Sequence, residues 1–236
     1  RDATSEPCSD YDGDRGARAN LMPMQALGFL IPAAIFAGIF TVVIRLTIKQ
    51  QQRVRENLTN LAEHYGLTVP ETPKSFFARL KPFPVTGVFR GRALSIYSYT
   101  TGSGKNTTHW CAVSVTLQNP SQLTLRITRE GMLAKVARAF GVEDVATGDK
   151  TFDDEFHLKS NDPAYIRVAF IPEIRALISD AWKSGQRGRI SLDAAEIKYV
   201  EPASFASPKV CERIPKVVEL AYALAEVAEA RHRVAG

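Results

Sequence analysis

The sequence feature that most limits how this chain can fold is an apolar run, residues 26–44, in which the only side chain with a hydroxyl is Thr41. The run holds 19 residues without a charge, and as a helix it would be about 28 Å long, close to the roughly 30 Å hydrocarbon core of a bilayer. A helix of a soluble domain would show a polar face, and this one has none. We therefore predict a transmembrane helix, in which Gly and Pro are tolerated. The predicted membrane-spanning residues include Ala26, Phe29, Pro32, Phe36, Gly38 and Ile44.

The positive charge of the chain is concentrated directly behind this run. Residues 45–92 carry nine Lys and Arg against three acidic residues, whereas residues 1–44 carry three Arg against five acids. Basic residues after an apolar run indicate a stop-transfer sequence rather than a cleaved signal peptide, and they stay on the cytoplasmic side. We therefore expect a single-pass protein of the cell (inner) membrane, with its N-terminus outside and its C-terminal domain in the cytoplasm. The predicted membrane-surface residues are Arg45, Lys49, Arg53 and Arg55.

The composition divides the chain into four predicted segments. We expect residues 1–25 to be a disordered or mis-called N-terminal tail, with Met22 and Met24 as possible true starts. A transmembrane helix and helical stalk (26–65), a Pro-rich linker (66–84) and a cytoplasmic α+β domain (85–236) follow. The stalk carries an apolar stripe that indicates an amphipathic helix, and this stripe could pack on its own domain or on a partner helix. The stripe consists of Val54, Leu58, Leu61 and Tyr65.

The C-terminal domain shows strand patterns first and helix patterns later. Alternating β-forming residues predict four strands that form an antiparallel meander, at 85–90, 93–100, 109–117 and 122–128. We then expect a helix at 131–141, a strand at 152–160, helices that begin at Pro163 and Pro172, strands within 188–202, and a long final helix from Pro208. This order predicts an α+β fold in which several helices pack on one face of an antiparallel sheet.

No segment matches a catalytic or cofactor motif. Gly102-Ser103-Gly104-Lys105 looks like part of a phosphate-binding loop, but position 99 is Tyr instead of Gly, and strand patterns lie on both sides. His109 and Cys111 would share a strand face without a second pair of metal ligands. A basic stripe with aromatic residues within the folded part would indicate nucleic-acid binding, and the basic excess lies elsewhere. We therefore predict no cofactor, no metal and no nucleic acid.

One motif near the middle of the domain supports a resemblance. The residues are Gly148, Asp149, Phe152, Asp153, Phe156, Asp162 and Pro163. With this Gly-Asp-x-x-Phe-Asp-x-x-Phe pattern the chain resembles a family of bacterial single-pass membrane proteins of unknown function with a cytoplasmic domain. The resemblance implies no catalytic residues. From the residues themselves we interpret the motif as structural, with a metal or acid–base role for Asp149, Asp153, Asp154 and Glu155 as the alternative.

Three functions from different classes fit the sequence. The first is a non-catalytic accessory or assembly subunit of a larger membrane protein complex, for example respiratory or photosynthetic, with the lipid bilayer and other subunits as partners. The second is a membrane-tethered sensor that binds a small ligand or a lipid. The third is a hydrolase whose catalytic residues fit no known pattern, with Asp149, Asp153 or His109 as candidates.

Overall fold

The computed structural model describes residues 24–71, 75, 83–120, 122–129, 143–182 and 188–235, with the side chains of the first helix described from residue 35 onward. Within these residues the chain forms five α-helices and eight strands. The helices are α1 (Met24–Tyr65), α2 (Lys150–Glu155), α3 (Pro163–Ala169), α4 (Pro172–Ala181) and α5 (Pro208–Ala235). The strands are β1 (Val85–Phe89), β2 (Arg92–Thr101), β3 (Thr108–Thr116), β4 (Leu125–Arg129), β5 (Glu143–Val145), β6 (Phe156–Ser160), β7 (Arg189–Asp193) and β8 (Glu196–Glu201).

Helix α1 is continuous from the apolar run through the predicted stalk, as the sequence pattern indicates. It ends at Gly66, whose positive φ of 66° suits a residue without Cβ. The Leu67 amide donates to the Ala62 carbonyl at 2.8 Å and so closes the last turn. In the part of the chain that the structure describes, no helix combines the length and the apolarity needed to cross a membrane. The chain divides into two units after Leu46.

The second half of α1 packs on its own domain. Leu58, Ala62 and Tyr65 are buried in the core, and the Asn57 side-chain amide donates to the Phe205 carbonyl at 2.6 Å. The sequence left open whether the apolar stripe of the stalk packs on its own domain or on a partner helix. In the structure it packs on its own domain. This burial makes the helix from Thr47 onward part of the compact C-terminal unit.

The eight strands form one antiparallel sheet in the order β1-β2-β3-β8-β7-β4-β6-β5. The prediction that the first four strands form a meander is therefore wrong at its last step. Strands β1, β2 and β3 are consecutive neighbours, but β3 pairs with β8, and β4 pairs with β6 and β7. The hairpin β7–β8, from the end of the domain, inserts between β3 and β4. The antiparallel sheet with helices that the sequence predicts is confirmed.

The two faces of the sheet differ in what covers them. On one face the alternate positions of the strands are buried, for example Leu94, Ile127 and Ile197, and α5 lies over β3 and β8. The long final helix predicted from Pro208 is confirmed as α5, and its apolar stripe is buried. The stripe consists of Val210, Ile214, Val217, Ala221, Leu224 and Ala228. On the opposite face most of the described side chains are polar, charged or aromatic and keep part of their surface exposed, although Ala112, Ser114 and Val200 are buried there. We call this face the uncovered face.

The strand predicted at 152–160 is half wrong. Its first part is the short helix α2, and only residues 156–160 form a strand. The physical reason is the Asp149 side chain, which accepts from the Phe152 amide and so starts a helical turn where the alternating pattern indicates extended chain. The helix predicted at 131–141 lies outside the described residues.

Candidate functional site

The described end of the apolar run is exposed along α1. Between residues 35 and 46, seven large apolar side chains expose 53–72% of their surface, which is unusual for a helix in water. They are Ile35, Phe36, Ile39, Phe40, Val42, Val43 and Leu46. Of the predicted spanning residues, Gly38 is also exposed and Ile44 is half-buried, while the side chains of Ala26, Phe29 and Pro32 lie outside the described residues.

The four basic residues behind the run do not share one environment. Arg45, Lys49 and Arg53 are exposed on α1. Arg55 instead donates to the Pro70 carbonyl at 3.1 Å, and its guanidinium lies 4.8 Å from the centroid of the Phe83 ring. A membrane-surface role remains a prediction for all four residues, and Arg55 also holds the segment after the stalk.

The Gly-Asp motif forms a turn stabilised by its own carboxylates. Gly148 has φ of +87°, a conformation that L side chains rarely adopt. The Asp153 carboxylate accepts from the Thr147 amide at 2.9 Å, from the Thr147 hydroxyl at 2.8 Å and from the Gly148 amide at 3.0 Å. Asp149 caps α2 and lies 3.3 Å from the Arg175 guanidinium. Both carboxylates therefore already have partners in the protein, which leaves little capacity for acid–base chemistry or metal binding.

The two phenylalanines of the motif belong to the core. Phe152 and Phe156 are buried, with ring centroids 4.9 Å apart, and Phe156 also meets Trp182 edge to face at 5.7 Å. The burial anchors the α2 turn to the covered side of the sheet, which explains why two aromatic residues four positions apart occur here.

The Asp-Pro pair starts helix α3. The Asp162 carboxylate accepts from the Tyr165 amide at 3.1 Å, and Pro163 occupies the first turn, where no amide hydrogen is needed. The second oxygen of the Asp162 carboxylate accepts from the Arg231 guanidinium of α5 at 2.8 Å. The Arg231 guanidinium and the Tyr165 amide hold the pKa of Asp162 below its usual range. The pair therefore links α3 to α5.

Of the remaining sequence candidates, only Glu155 lies with another candidate among the described residues, since it lines a shallow groove together with Asp149 and Arg175. Gly102 to Lys105 lie in the hairpin loop between β2 and β3, so the strand–loop–strand prediction is confirmed. The loop contains a single 3-10 turn (Gly104–Asn106) and leads into β3 instead of an α-helix that could hold a phosphate. His109 is exposed, whereas Cys111 is buried, and burial raises the pKa of the Cys111 thiol well above its usual range. In the ranges that the structure describes, no three His, Cys, Asp or Glu residues are grouped as metal ligands. Glu155 pairs with Arg129 at 2.7 Å.

A buried ionic cluster lies on the covered face instead. Both Glu201 oxygens accept from the Arg213 guanidinium at 2.7 Å. Tyr199 is buried two positions before Glu201, and burial raises the pKa of its phenol, with the Glu201 carboxylate adding to the shift. The Glu201–Arg213 ion pair joins β8 to α5, and the buried Tyr199 beside it stays protonated at neutral pH.

The uncovered face contains the feature that the sequence did not reveal. A groove of about 250 Å³ lies where β4, β6 and β7 run side by side. Its lining includes three basic side chains, two hydroxyls and one carboxylate: Arg126, Lys159, Arg189, Thr128, Ser191 and Asp193. The alternation of Arg and Lys in the strand sequences was a visible signal, but only the strand order shows that these residues are neighbours.

Aromatic side chains extend this face toward β2 and β3. The rings of Tyr99 and Trp110 are stacked with centroids 6.1 Å apart and planes 9° apart. The Arg189 guanidinium lies 5.9 Å from the Trp110 ring, and the Lys198 ammonium lies 5.5 Å from the Tyr97 ring. A hydrogen bond with Tyr97 raises the pKa of Lys198, so this cation is already paired.

These features describe an α+β protein with an eight-stranded antiparallel sheet, helices on one face and a basic groove on the other. A similar fold occurs in the crystal structure of the mycobacterial trehalose monomycolate transport factor A, TtfA, with a TM-score of 0.50 over 74% of this chain and 93% of that chain. The sequence identity is 11%, so the likeness concerns the fold alone. No family model matches the chain, and no curated protein matches it significantly.

Proposed function

We propose that the protein is a non-catalytic accessory subunit of a membrane transport complex. In this proposal residues 26–44 anchor the chain in the cell membrane, with the N-terminus outside and the α+β domain on the cytoplasmic side. The observation that carries the proposal is the row of exposed apolar side chains on α1 between residues 35 and 46, which continues the uncharged run of the sequence.

The charge pattern supports the anchor. Arg45, Lys49 and Arg53 follow the run and are exposed, as residues at anionic lipid headgroups would be. A helix with large apolar side chains in water is unfavourable by about 25 cal/mol for each Å² of apolar surface. Insertion of the run into lipid would remove this cost, and so would burial against another apolar helix.

The kind of complex is suggested by the structural neighbour. TtfA is by its title a transport factor for trehalose monomycolate. We bring to this chain only the class, a factor that assists transport, and not the cargo. The carboxylates of the Gly-Asp motif bind their own backbone, which favours a structural role over hydrolysis.

The anchor is tested by carbonate extraction of membranes. We expect the wild-type chain to stay in the pellet and a Phe36→Asp, Ile39→Lys, Phe40→Asp variant to move to the supernatant. The matched control is Val88→Asp with Val168→Asp, because both valines are large exposed apolar residues outside α1. Release of the wild-type chain, or equal release of the control variant, would refute the anchor. Digestion of the domain by a protease added outside sealed cells would refute the orientation.

The accessory role is tested by crosslinking in intact membranes, followed by purification in a mild detergent and mass spectrometry. We expect a multi-spanning membrane protein at a fixed ratio to this chain. The apolar-run variant, which retains the domain, should lose that partner if the anchor brings the two together. A chain that migrates alone, with no crosslinked partner, would contradict the role.

A further inference from the structure

We propose that the basic groove of the uncovered face is a binding site for the phosphate group of a small soluble phosphate monoester. The site consists of Arg126, Lys159 and Arg189 together with the hydroxyls of Thr128 and Ser191. The inference rests on this groove alone and does not depend on the membrane anchor.

The strand register places like charges next to each other. Arg126 lies directly opposite Lys159 on β6, and on its other side it lies opposite Ser191 on β7. Two residues further along β4, Thr128 lies opposite Arg189 on β7. Like charges at directly opposed positions destabilise a sheet, because their Cβ atoms are about 5 Å apart. An anion between the strands would reverse this repulsion.

The three cations are not neutralised by strong partners. Within the described residues, Arg126 forms no ion pair and makes no side-chain hydrogen bond. Lys159 meets Asp144 at 3.3 Å, but this carboxylate is 76% exposed and is therefore well screened. Arg189 contacts the Trp110 ring, which orients the guanidinium and leaves its donors available.

The donor set fits phosphate better than a single carboxylate. Two guanidinium forks, one ammonium and two hydroxyls can supply donors to the three terminal oxygens of a phosphate monoester, which carries about −1.5 to −2 charges at pH 7. The groove volume of about 250 Å³ lies below the roughly 300–1,000 Å³ of sites for drug-sized ligands. The ligand beyond its phosphate is therefore small or extends into solvent.

Asp193 defines the end of the site. It follows Arg189 and Ser191 on the same face of β7 and lines the groove, so its carboxylate repels an anion placed beside it. The phosphate then lies between Arg126, Lys159 and Arg189. Asp193→Asn should strengthen binding, since it removes the repulsion without removing a donor.

The test is calorimetric titration of the full chain in a nonionic detergent with glycerol 3-phosphate, with glycerol as the uncharged control. We expect saturable binding of one glycerol 3-phosphate per chain, weakened by added salt. A second arm uses dihexanoyl phosphatidic acid in the same detergent. Binding of this lipid without binding of glycerol 3-phosphate would overturn the assignment to a soluble ligand.

The variants locate the site. Arg126→Gln and Arg189→Gln should each weaken binding by at least about tenfold, as expected for the loss of a charged hydrogen-bond donor. Lys198→Gln is the matched control, because Lys198 lies on the same face but is paired with Tyr97. The thermal midpoint of each variant shows whether the fold persists. No saturable binding below about 10 mM, or an equal loss in Lys198→Gln, would refute the site.

Discussion

The ion pair between Arg92 on β2 and Glu229 on α5 gives a sharp test of what holds the final helix to the sheet. Arg92 donates to both carboxylate oxygens of Glu229, with Nη2 2.9 Å from Oε2. The backbone amide of Gln118 donates to Oε1 at 2.7 Å. The side chains retain only 8% and 11% of their exposed surface. Glu229→Gln would leave a buried guanidinium facing an amide group that cannot satisfy both of its donors.

The expected magnitude follows from this burial. Removing one partner of a buried pair typically costs about 3–5 kcal/mol, because the other charge is left unpaired away from water. Since Glu229 keeps some exposure, we expect a loss of about 3 kcal/mol in the free energy of unfolding, a large share of the roughly 5–15 kcal/mol of a typical domain. The assay is urea unfolding of the full chain in detergent, followed by near-ultraviolet circular dichroism.

The matched control is Glu219→Gln. Glu219 pairs with Arg90 at 2.8 Å, again between the first hairpin and α5, but these side chains are 46% and 55% exposed. Because exposed pairs are screened by water, this change should leave the unfolding midpoint nearly unchanged. Equal losses in the two variants would refute the argument that burial sets the energy of the pair.

The pH dependence of the free energy of unfolding provides an independent test of the Arg92–Glu229 ion pair. The Arg92 guanidinium, and to a lesser extent the Gln118 backbone amide, hold the pKa of Glu229 below its usual range. A lowered pKa in the folded state contributes stability above the unfolded pKa, and this contribution is lost as the pH falls through the folded pKa. The difference between wild type and Glu229→Gln should therefore be full at pH 7 and shrink toward pH 3. A difference that does not depend on pH would show that packing, and not charge, is responsible.

Three further predictions concern the core and the motif. Asp162→Ala should lower the free energy of unfolding by about 1–2 kcal/mol, because it removes both the helix cap and the Arg231 pair. Asp162→Asn keeps the cap and loses only the pair, so its loss should be smaller, and thermal unfolding measures both variants. Gly188→Ala should destabilise by about 1–3 kcal/mol, because its Cβ would lie 2.5 Å from the Tyr199 hydroxyl oxygen, and a normal midpoint in urea would contradict that clash. Cys111 should resist iodoacetamide at pH 8 until the chain unfolds, since burial raises the pKa of its thiol; peptide mapping by mass spectrometry after labelling tests this.

The parts of the fold that the sequence predicts are those set by local pattern. The α5 stripe and the first three strands repeat with the period of their own element, so residues such as Ile214 and Val113 could be assigned to the core before any contact was known. The C-terminal end of α1 is also determined by local sequence, because Gly66 adopts the positive φ that ends a helix.

The sheet order was not predictable in the same way. Neighbouring strands in sequence are neighbours in space in roughly two-thirds of cases, and the pairing of β3 with β8 is one of the exceptions. The choice depends on which buried faces fit together, as at the Val113–Tyr199 position, and no short segment contains that information. The helical turn α2 was not predicted for another reason, because Phe152 and Phe156 lie on one face in a helix and in a strand alike.

The basic groove depends on this non-local order. Arg126, Lys159 and Arg189 are far apart in sequence, and each one alone looks like an ordinary exposed residue of an alternating strand. The order β7-β4-β6 is what makes them neighbours. The site therefore depends on the topology of the sheet, whereas the apolar run is a local feature of the sequence.

The contrast between the two faces of the sheet gives a physical reason to regard the groove as functional. The core of the domain lies on the covered face, where side chains such as Leu125 and Ile127 are buried beside Arg126 and Thr128 on the same strand. The uncovered face contributes little to that core, so its side chains are under weak constraint from folding. Asp144 on β5 offsets the charge of Lys159 from one side, yet on the other side Lys159 lies opposite Arg126, which has no ion-pair partner among the described residues. Like charges placed side by side without a packing role are expected at sites selected for a ligand.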